Sequence, residues 1–274
     1  MASAASTLIC GISLLAQSAC LLRAQAATPA PDTQATKELV LGAVLAKNID
    51  QRDGRLNNAA ISNYVQQLEN ELALASATSP LQVRITKATE QYAILLPGRI
   101  LYLSSGLLLH LESESELAAV LAHEQAHAAA ARNRYASNPG SIPLLIIGGD
   151  CVLSSPAMPF ISPPSGIAQL RQAEVEANTM ALRSLRSAHY DPVSLFSVLS
   201  KLAYEHPGWV RALVPSELET GLSEAEAEPL PAKEYITNTS AFAAIHDNLA
   251  GIMGVFPPQS SVKVTRAPTL MRDP

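Results

Sequence analysis

His123-Glu124-Gln125-Ala126-His127 lies within an apolar run that predicts a helix, and it decides the expected fold of this 274-residue chain. Residues four apart lie on one face of an α-helix, about one turn apart, so both imidazoles can bind the same tetrahedral Zn²⁺ ion. Glu124 is the next residue round the helix, where its carboxylate can act on the attacking water as a general base. This H-E-x-x-H pattern is typical of zinc peptidases, and it predicts a catalytic zinc site.

Zinc catalysis needs a third protein ligand and one position left open for water. One class of zinc peptidases places a third His ten residues after the first, but that position holds Asn133. Another class takes a Glu from a following helix, and the predicted helix 166–187 offers Glu174 and Glu176. We expect a ligand role for one of them, and the spacing leaves both open.

Hydrophobic periodicity around the motif predicts a mainly helical α+β fold. With an H-E-x-x-H helix and a Glu as third ligand, such a domain would be a zincin of the gluzincin type. A small three-stranded sheet is expected beside the active-site helix, with its strands at Leu81–Ile85, Tyr92–Leu96 and Ile100–Leu103. Pro97-Gly98 predicts a hairpin turn between the second and third strands. Helices are expected at about Gln34–Ile49, Asn58–Ala75, Ser113–Arg134, Gly166–Ser187, from Asp191 onward, and at Ser240–Ile252.

The apolar stretch Ile142–Ile147 is too short to cross a bilayer, which takes about 20 apolar residues. We expect a buried loop or a short helix there. The alternative is a surface that dips into the membrane or receives substrate, so peripheral membrane contact stays open.

The N-terminus predicts an export signal. Residues 1–22 carry no charged side chain, and Ala24-Gln25-Ala26 fits the small-x-small cleavage rule, which gives a mature start at Ala27 and a periplasmic or secreted protein. The alternatives are an uncleaved anchor, a buried helix, and a lipoprotein modified at Cys20. After cleavage only Cys151 remains, so no intramolecular disulfide is expected.

Composition narrows the class of partner. A net charge of −5 and an aromatic content of 4% argue against nucleic-acid binding, which needs a basic footprint and stacking platforms. The expected organisation is a signal peptide at 1–26, a linker at 27–33, a zinc metallopeptidase domain at 34–215, an acidic linker at 216–235, a C-terminal helix at 236–256 and a disordered tail at 257–274.

A series of motifs occurs in an order that resembles a known family. The motifs are Leu96-Pro97-Gly98, Ile100-Leu101-Tyr102-Leu103, Gly106-Leu107-Leu108, the run from Glu114 to His127, Glu174-Val175-Glu176-Ala177 and Tyr190-Asp191-Pro192. Over roughly residues 38–202 the chain resembles the HtpX/BepA/CAAX-prenyl-protease family of zinc metallopeptidases (peptidase family M-forty-eight). Its single export signal resembles the periplasmic BepA-like branch.

The resemblance implies a choice that spacing did not make. The family's third ligand falls on Glu174, with Glu176 on another face of the helix. The family's Asp one turn further on, which resembles a partner of a zinc-bound imidazole, is Asn178 here. Asn still accepts a hydrogen bond but carries no charge, and losing such a carboxylate typically costs about 10–100-fold in metal affinity or activity.

Two further positions follow from the resemblance. Tyr92 stands where the family's edge strand usually has Asn, and that strand is expected to pair with extended substrate backbone. His206-Pro207 resembles a downstream His-Pro that can approach the metal.

The sequence therefore predicts an exported endopeptidase with one Zn²⁺ per chain, bound by His123, His127 and Glu174. Peptide bonds would be hydrolysed by a zinc-activated water with Glu124 as the general base. The expected substrates are polypeptides, in particular unfolded or misassembled envelope proteins under quality control. The alternative is a catalytically weak zinc-binding module of the same fold with a chaperone-like or regulatory role.

Overall fold

The computed structural model describes residues 33–137, 145–147, 167–205 and 235–255. The helices are α1 Thr33–Asp53, α2 Ala59–Ala75, α3 Ser105–His110, α4 Glu114–Ser137, α5 Ile167–Ser187, α6 Val193–Glu205 and α7 Ser240–Met253. The strands are β1 Gln82–Thr86, β2 Ala93–Leu96, β3 Ile100–Ser104 and β4 Leu145–Ile147. The expected α+β class, mainly helical with a small sheet, is confirmed. The predicted signal peptide, the acidic linker up to residue 234 and the C-terminal tail lie outside the described ranges.

The three predicted strands form the greater part of a mixed sheet with the order β1-β3-β2-β4. β1 runs parallel to β3, and β2 pairs antiparallel with β3 through Ala93 opposite Leu103 and Leu96 opposite Ile100. The predicted turn joins β2 to β3. Gly98 there has a φ of 78°, in the left-handed region that glycine adopts without a Cβ clash.

The fourth strand corrects two expectations. Residues 145–147 form β4 and not the expected loop or short helix, and they pair antiparallel with β2, with Ala93 opposite Ile147. β2 is therefore not an edge strand, and the edge that was expected to receive substrate backbone is taken by a segment of the same chain. The physical reason is that the outer N–H and C=O groups of β2 need partners, which a short β-branched segment can supply.

The sheet is covered on both faces. Side chains alternate along β2 and β3, so one set packs on α1 and the other on α2 and α4. The first set, with its α1 partners, is Tyr92, Ile94, Leu96, Ile100, Tyr102, Leu45, Ala46 and Ile49. The second set from the sheet is Ala93, Leu95, Leu101 and Leu103. Because the sheet has no solvent face here, every residue of β2 and β3 is buried.

Tyr92 has a structural position in this arrangement. Its side chain is 1% exposed and its hydroxyl lies 2.7 Å from Thr86 Oγ1, while it donates a hydrogen bond to Asp53 at the end of α1. Tyr92, which stands where the family usually has Asn, therefore anchors α1 against the sheet. It does so on the face of the sheet opposite α4.

The active-site helix α4 is buried on all sides through its first half. Its capping box is formed in part: Ser113 Oγ accepts from the N–H of Glu116 at 3.1 Å, and the Glu116 carboxylate accepts from the N–H of Glu112 at 2.8 Å. Lys201 of α6 neutralises Glu116 at 2.7 Å. These contacts fix where α4 begins.

A second network joins the start of α4 to the segment before α7. Asn238 accepts a hydrogen bond from the N–H of Glu114 at 3.2 Å, and the buried Glu114 carboxylate accepts from Tyr190 at 2.9 Å and from Thr239. Phe242 of α7 packs in the same core as α4. No helix within the described ranges is long and apolar enough to cross a membrane.

Candidate metal centre

Two helices bring three of the predicted ligands together. His123 and His127 come from α4, and Glu174 comes from α5, which packs along it. The Glu174 carboxylate spans the pair, with Oε2 at 3.3 Å from His123 Nε2 and Oε1 at 3.3 Å from His127 Nε2. The two Nε2 atoms lie 3.0 Å apart. Atoms bound tetrahedrally at about 2.0–2.1 Å from one Zn²⁺ lie about 3.3–3.4 Å apart, so this triangle fits a zinc ion.

Electrostatics couple the imidazoles to the Glu174 carboxylate. Burial lowers the pKa of His123, but its hydrogen bond and attraction to Glu174 outweigh burial and raise that pKa. Burial raises the pKa of Glu174, yet the charge of His127 and the hydrogen bonds from both imidazoles hold it well below its usual value. Glu174 is therefore ionised at neutral pH, the state that a metal ligand requires.

Glu124 is fully buried beside the triangle. Neither of its carboxylate oxygens has a hydrogen-bond partner among the described residues. Burial raises its pKa to about 8, with Glu174 adding repulsion and His123 opposing the rise. A buried carboxylate without partners is costly unless a cation or a substrate group compensates it, so its position fits a site built around a metal.

Asn178 lies against the back of one ligand. Its Oδ1 is 2.9 Å from His123 Nδ1. Since an amide oxygen can only accept, this contact places a proton on Nδ1 and leaves Nε2 to bind the metal. Asn178, at the family's Asp position, therefore orients the His123 ring as a carboxylate would, but without the negative charge.

Glu176 takes no part in the cluster. It is exposed on α5, and its Oε1 accepts a hydrogen bond from Gln172 at 2.9 Å. The structure thus places one of the two candidate glutamates at the histidines and the other in solvent. His206 lies outside the described residues.

Sequence reasoning missed one pair behind the active-site helix. Glu69 of α2 is fully buried, and its Oε1 accepts a hydrogen bond from Gln125 Nε2 at 2.8 Å. The signal was present, because position 69 lies at helical spacing from Val65 and Leu72 on the buried stripe of α2. A glutamate on a buried stripe indicates a polar partner inside the core.

A buried His-His-Glu triangle on two helices, with a partnerless carboxylate next to the first His, defines the class as metallopeptidases of the H-E-x-x-H type. The sequence model of peptidase family M48 matches residues 56–213, and the chain belongs to that family. It is also 27% identical over 194 residues to a protein of Vibrio cholerae serotype O1 (strain ATCC 39315 / El Tor Inaba N16961) named "Putative beta-barrel assembly-enhancing protease". The match covers 62% of this chain but 38% of that protein, so the chain spans well under half of the relative's length.

Proposed function

We propose that this protein is a zinc-dependent endopeptidase with one Zn²⁺ per chain. The observation that carries the proposal is the closed triangle of His123, His127 and Glu174, with Glu124 buried beside it and lacking any partner in the described part of the chain. Nitrogen and carboxylate donors in this number leave one tetrahedral position for water or substrate.

The residues divide the chemistry between them. Zinc, when bound, polarises the scissile carbonyl and lowers the pKa of water. Glu124 accepts the proton of the attacking water and passes it to the nitrogen of the departing amine, so that one carboxylate serves first as base and then as acid. Glu174 supplies the negative charge that complements the cation, and Asn178 keeps the His123 ring in one tautomer and orientation.

The substrates proposed are polypeptides, and unfolded or misassembled envelope proteins in particular. The name of the Vibrio cholerae relative supports this class. The uncharged residues 1–22 and the small-x-small site Ala24-Gln25-Ala26 support export and cleavage after Ala26. N-terminal sequencing of protein from the native envelope tests the export. A start near Ala27 supports cleavage, a start at Met1 would indicate an uncleaved anchor, and a lipid-modified Cys20 would indicate a lipoprotein.

A weak or inactive zinc-binding module is the second candidate, and the neutral Asn178 favours it. Glu124 opposes it, because a buried carboxylate without a partner has a cost in stability that a binding module has no chemical reason to retain.

Zinc analysis and proteolysis of the purified protein test the two candidates together. We expect about one zinc per chain, cleavage of unfolded casein, loss of cleavage on chelation and recovery on adding zinc. Stoichiometric zinc without cleavage, combined with suppression of casein aggregation, would replace the peptidase by the chaperone-like module.

Asn178→Asp is expected to bind zinc about 10–100-fold more tightly, the inverse of the usual cost of losing such a carboxylate. The new charge would face Nδ1 of His123 across the present 2.9 Å contact and make the imidazole a stronger donor. Zinc affinity, turnover and thermal midpoint are measured together, with Asn178→Ala as the matched variant that loses the acceptor. A stable Asn178→Asp protein with unchanged affinity and turnover would show that position 178 does not tune the ligand.

A further inference from the structure

The Glu69 carboxyl lies at the meeting point of three elements. Its Oε1 accepts one hydrogen bond from the N–H of Leu81, directly before β1, at 2.9 Å. The same oxygen accepts a second from Gln125 Nε2 on α4 at 2.8 Å. Both side chains are at most 1% exposed, so water does not compete for these bonds.

Gln125 lies on the back of the active-site helix. At 100° per residue it is about 160° round α4 from both His123 and His127. Glu69 therefore contacts the face of the helix opposite the metal ligands and does not touch the reacting atoms.

The pair contains two polar atoms that lack partners in the described part of the chain, Glu69 Oε2 and Gln125 Oε1. Two acceptor oxygens cannot bond each other, but one proton on Glu69 Oε2 would donate to Gln125 Oε1 and satisfy both. Such a proton would close a cyclic acid–amide pair, in which the observed hydrogen bond from Gln125 Nε2 is matched by a second one running the other way. Burial supports the neutral acid, since it raises the pKa of Glu69 to about 7.

Burial, which raises the pKa of Glu69, outweighs the two hydrogen bonds to Oε1 and the charge of Arg99, which lower that pKa. α4 presents the neutral amide of Gln125, and β1 is preceded by the neutral N–H of Leu81. The charge that acts on Glu69 is that of Arg99, and its guanidinium also donates to the carbonyl oxygens of Ser79 and Pro80.

We infer that Glu69 is a positioning residue: as a carboxylic acid paired with Gln125, it fixes the rotation of α4 about its axis, and hence the direction in which Glu124, His123 and His127 face the metal. The inference rests on the proposed peptidase function for its effect on turnover.

The packing around α4 explains why a polar contact is needed for this. The buried positions of the helix near the motif include four alanines beside the larger Val120 and Leu121, and the alanines, Ala118, Ala119, Ala122 and Ala126, interlock least with their neighbours. Fixing the register of packed helices is the best-attested use of a buried polar group. Displacements near 1 Å remote from the chemistry can reduce rates by about 100-fold.

Four variants separate positioning from stability. Glu69→Gln keeps the pair as amide–amide, because its oxygen accepts as before and its NH₂ donates to Gln125 Oε1. Gln125→Leu leaves the Glu69 carboxyl without its amide partner, and Glu69→Leu leaves both Gln125 and the N–H of Leu81 without their acceptor. The double variant Glu69→Leu/Gln125→Leu removes both groups of the pair, so it regains the part of the stability lost to the unpaired amide, while the N–H of Leu81 still lacks its acceptor.

We expect Glu69→Gln to keep kcat within about twofold of the wild type at pH 6, since both hydrogen bonds survive. Glu69→Leu and the double variant should lose about 100-fold in kcat with little change in KM, even where the double variant regains part of the lost stability. A double variant with the wild-type kcat would overturn the positioning role and leave Glu69 as a stability residue only.

The protonation state has a readout that needs neither zinc nor activity. A raised pKa stabilises the fold fully below the unfolded value of about 4.3, and this contribution is lost as the pH rises through the folded value near 7. The thermal midpoint of the metal-free wild type should therefore fall relative to metal-free Glu69→Gln between pH 5 and pH 9. A constant difference would overturn the acid–amide pair, and it would do so whether or not the protein proves to be a peptidase.

Discussion

Glu124→Gln is expected to lose about 10²–10⁴-fold in kcat, the usual contribution of general acid–base catalysis, while keeping its zinc. Glutamine is nearly isosteric with glutamate but cannot accept the water's proton. Because burial raises the pKa of Glu124 to about 8, the neutral amide should also leave the thermal midpoint of the metal-free protein unchanged or higher at pH 9. Turnover of unfolded casein, zinc content and thermal melting measure the three effects.

Glu176→Gln is the matched control, since it makes the same chemical change at an exposed position on α5. It should retain wild-type turnover. If Glu124→Gln instead cleaved casein at the wild-type rate, the general base would have to be another group, and the proposed division of roles would be wrong.

Glu174→Ala is expected to lose both zinc and activity. Binding of zinc at structural sites with four protein ligands has an apparent free energy of roughly 10–16 kcal/mol. One such ligand therefore contributes roughly 2.5–4 kcal/mol, or about 10²–10³-fold in affinity. The variant removes the carboxylate that lies 3.3 Å from both imidazoles. Competition with a chromophoric zinc chelator measures the affinity directly.

Glu176→Ala is the control for this change and should bind zinc normally. Full zinc occupancy in Glu174→Ala would remove Glu174 from the ligand set. If Glu174→Ala retained zinc and Glu176→Ala lost it, Glu176 would be the zinc ligand. This outcome would contradict the exposed position of Glu176 on α5.

The local parts of the fold were predictable from the sequence because their signals are periodic. Helix α2, with Asn58 as its N-cap, and the hairpin at Pro97-Gly98 follow from residues close together in the chain. Strand β4 could not be predicted from the sequence, because a run of three apolar residues shows no alternation of apolar and polar side chains. Its partners in β2 also lie about 50 residues earlier in the chain.

The candidate site was predictable to the extent that one helix carries it. His123, Glu124 and His127 share α4, so their mutual geometry is set by the helical repeat alone. The choice of Glu174 over Glu176 depends on how α5 is rotated against α4, which spacing within α5 does not encode. Glu69 was missed for the same reason, because its partner Gln125 lies in a different helix 56 residues away.

The contacts at the start of α4 also set an order in time. Glu114 receives its partners from Asn238 and Thr239, which are made 124 and 125 residues after it. The chain is synthesised from its N-terminus, so the H-E-x-x-H helix emerges from the ribosome before the segment that contacts its first turn. Until that segment arrives, Glu114 lacks its partners Asn238 and Thr239, and the core around Phe242 is incomplete. The first turn of the helix that carries the two histidines therefore gains its last contacts only when residues 238 and 239 have been made.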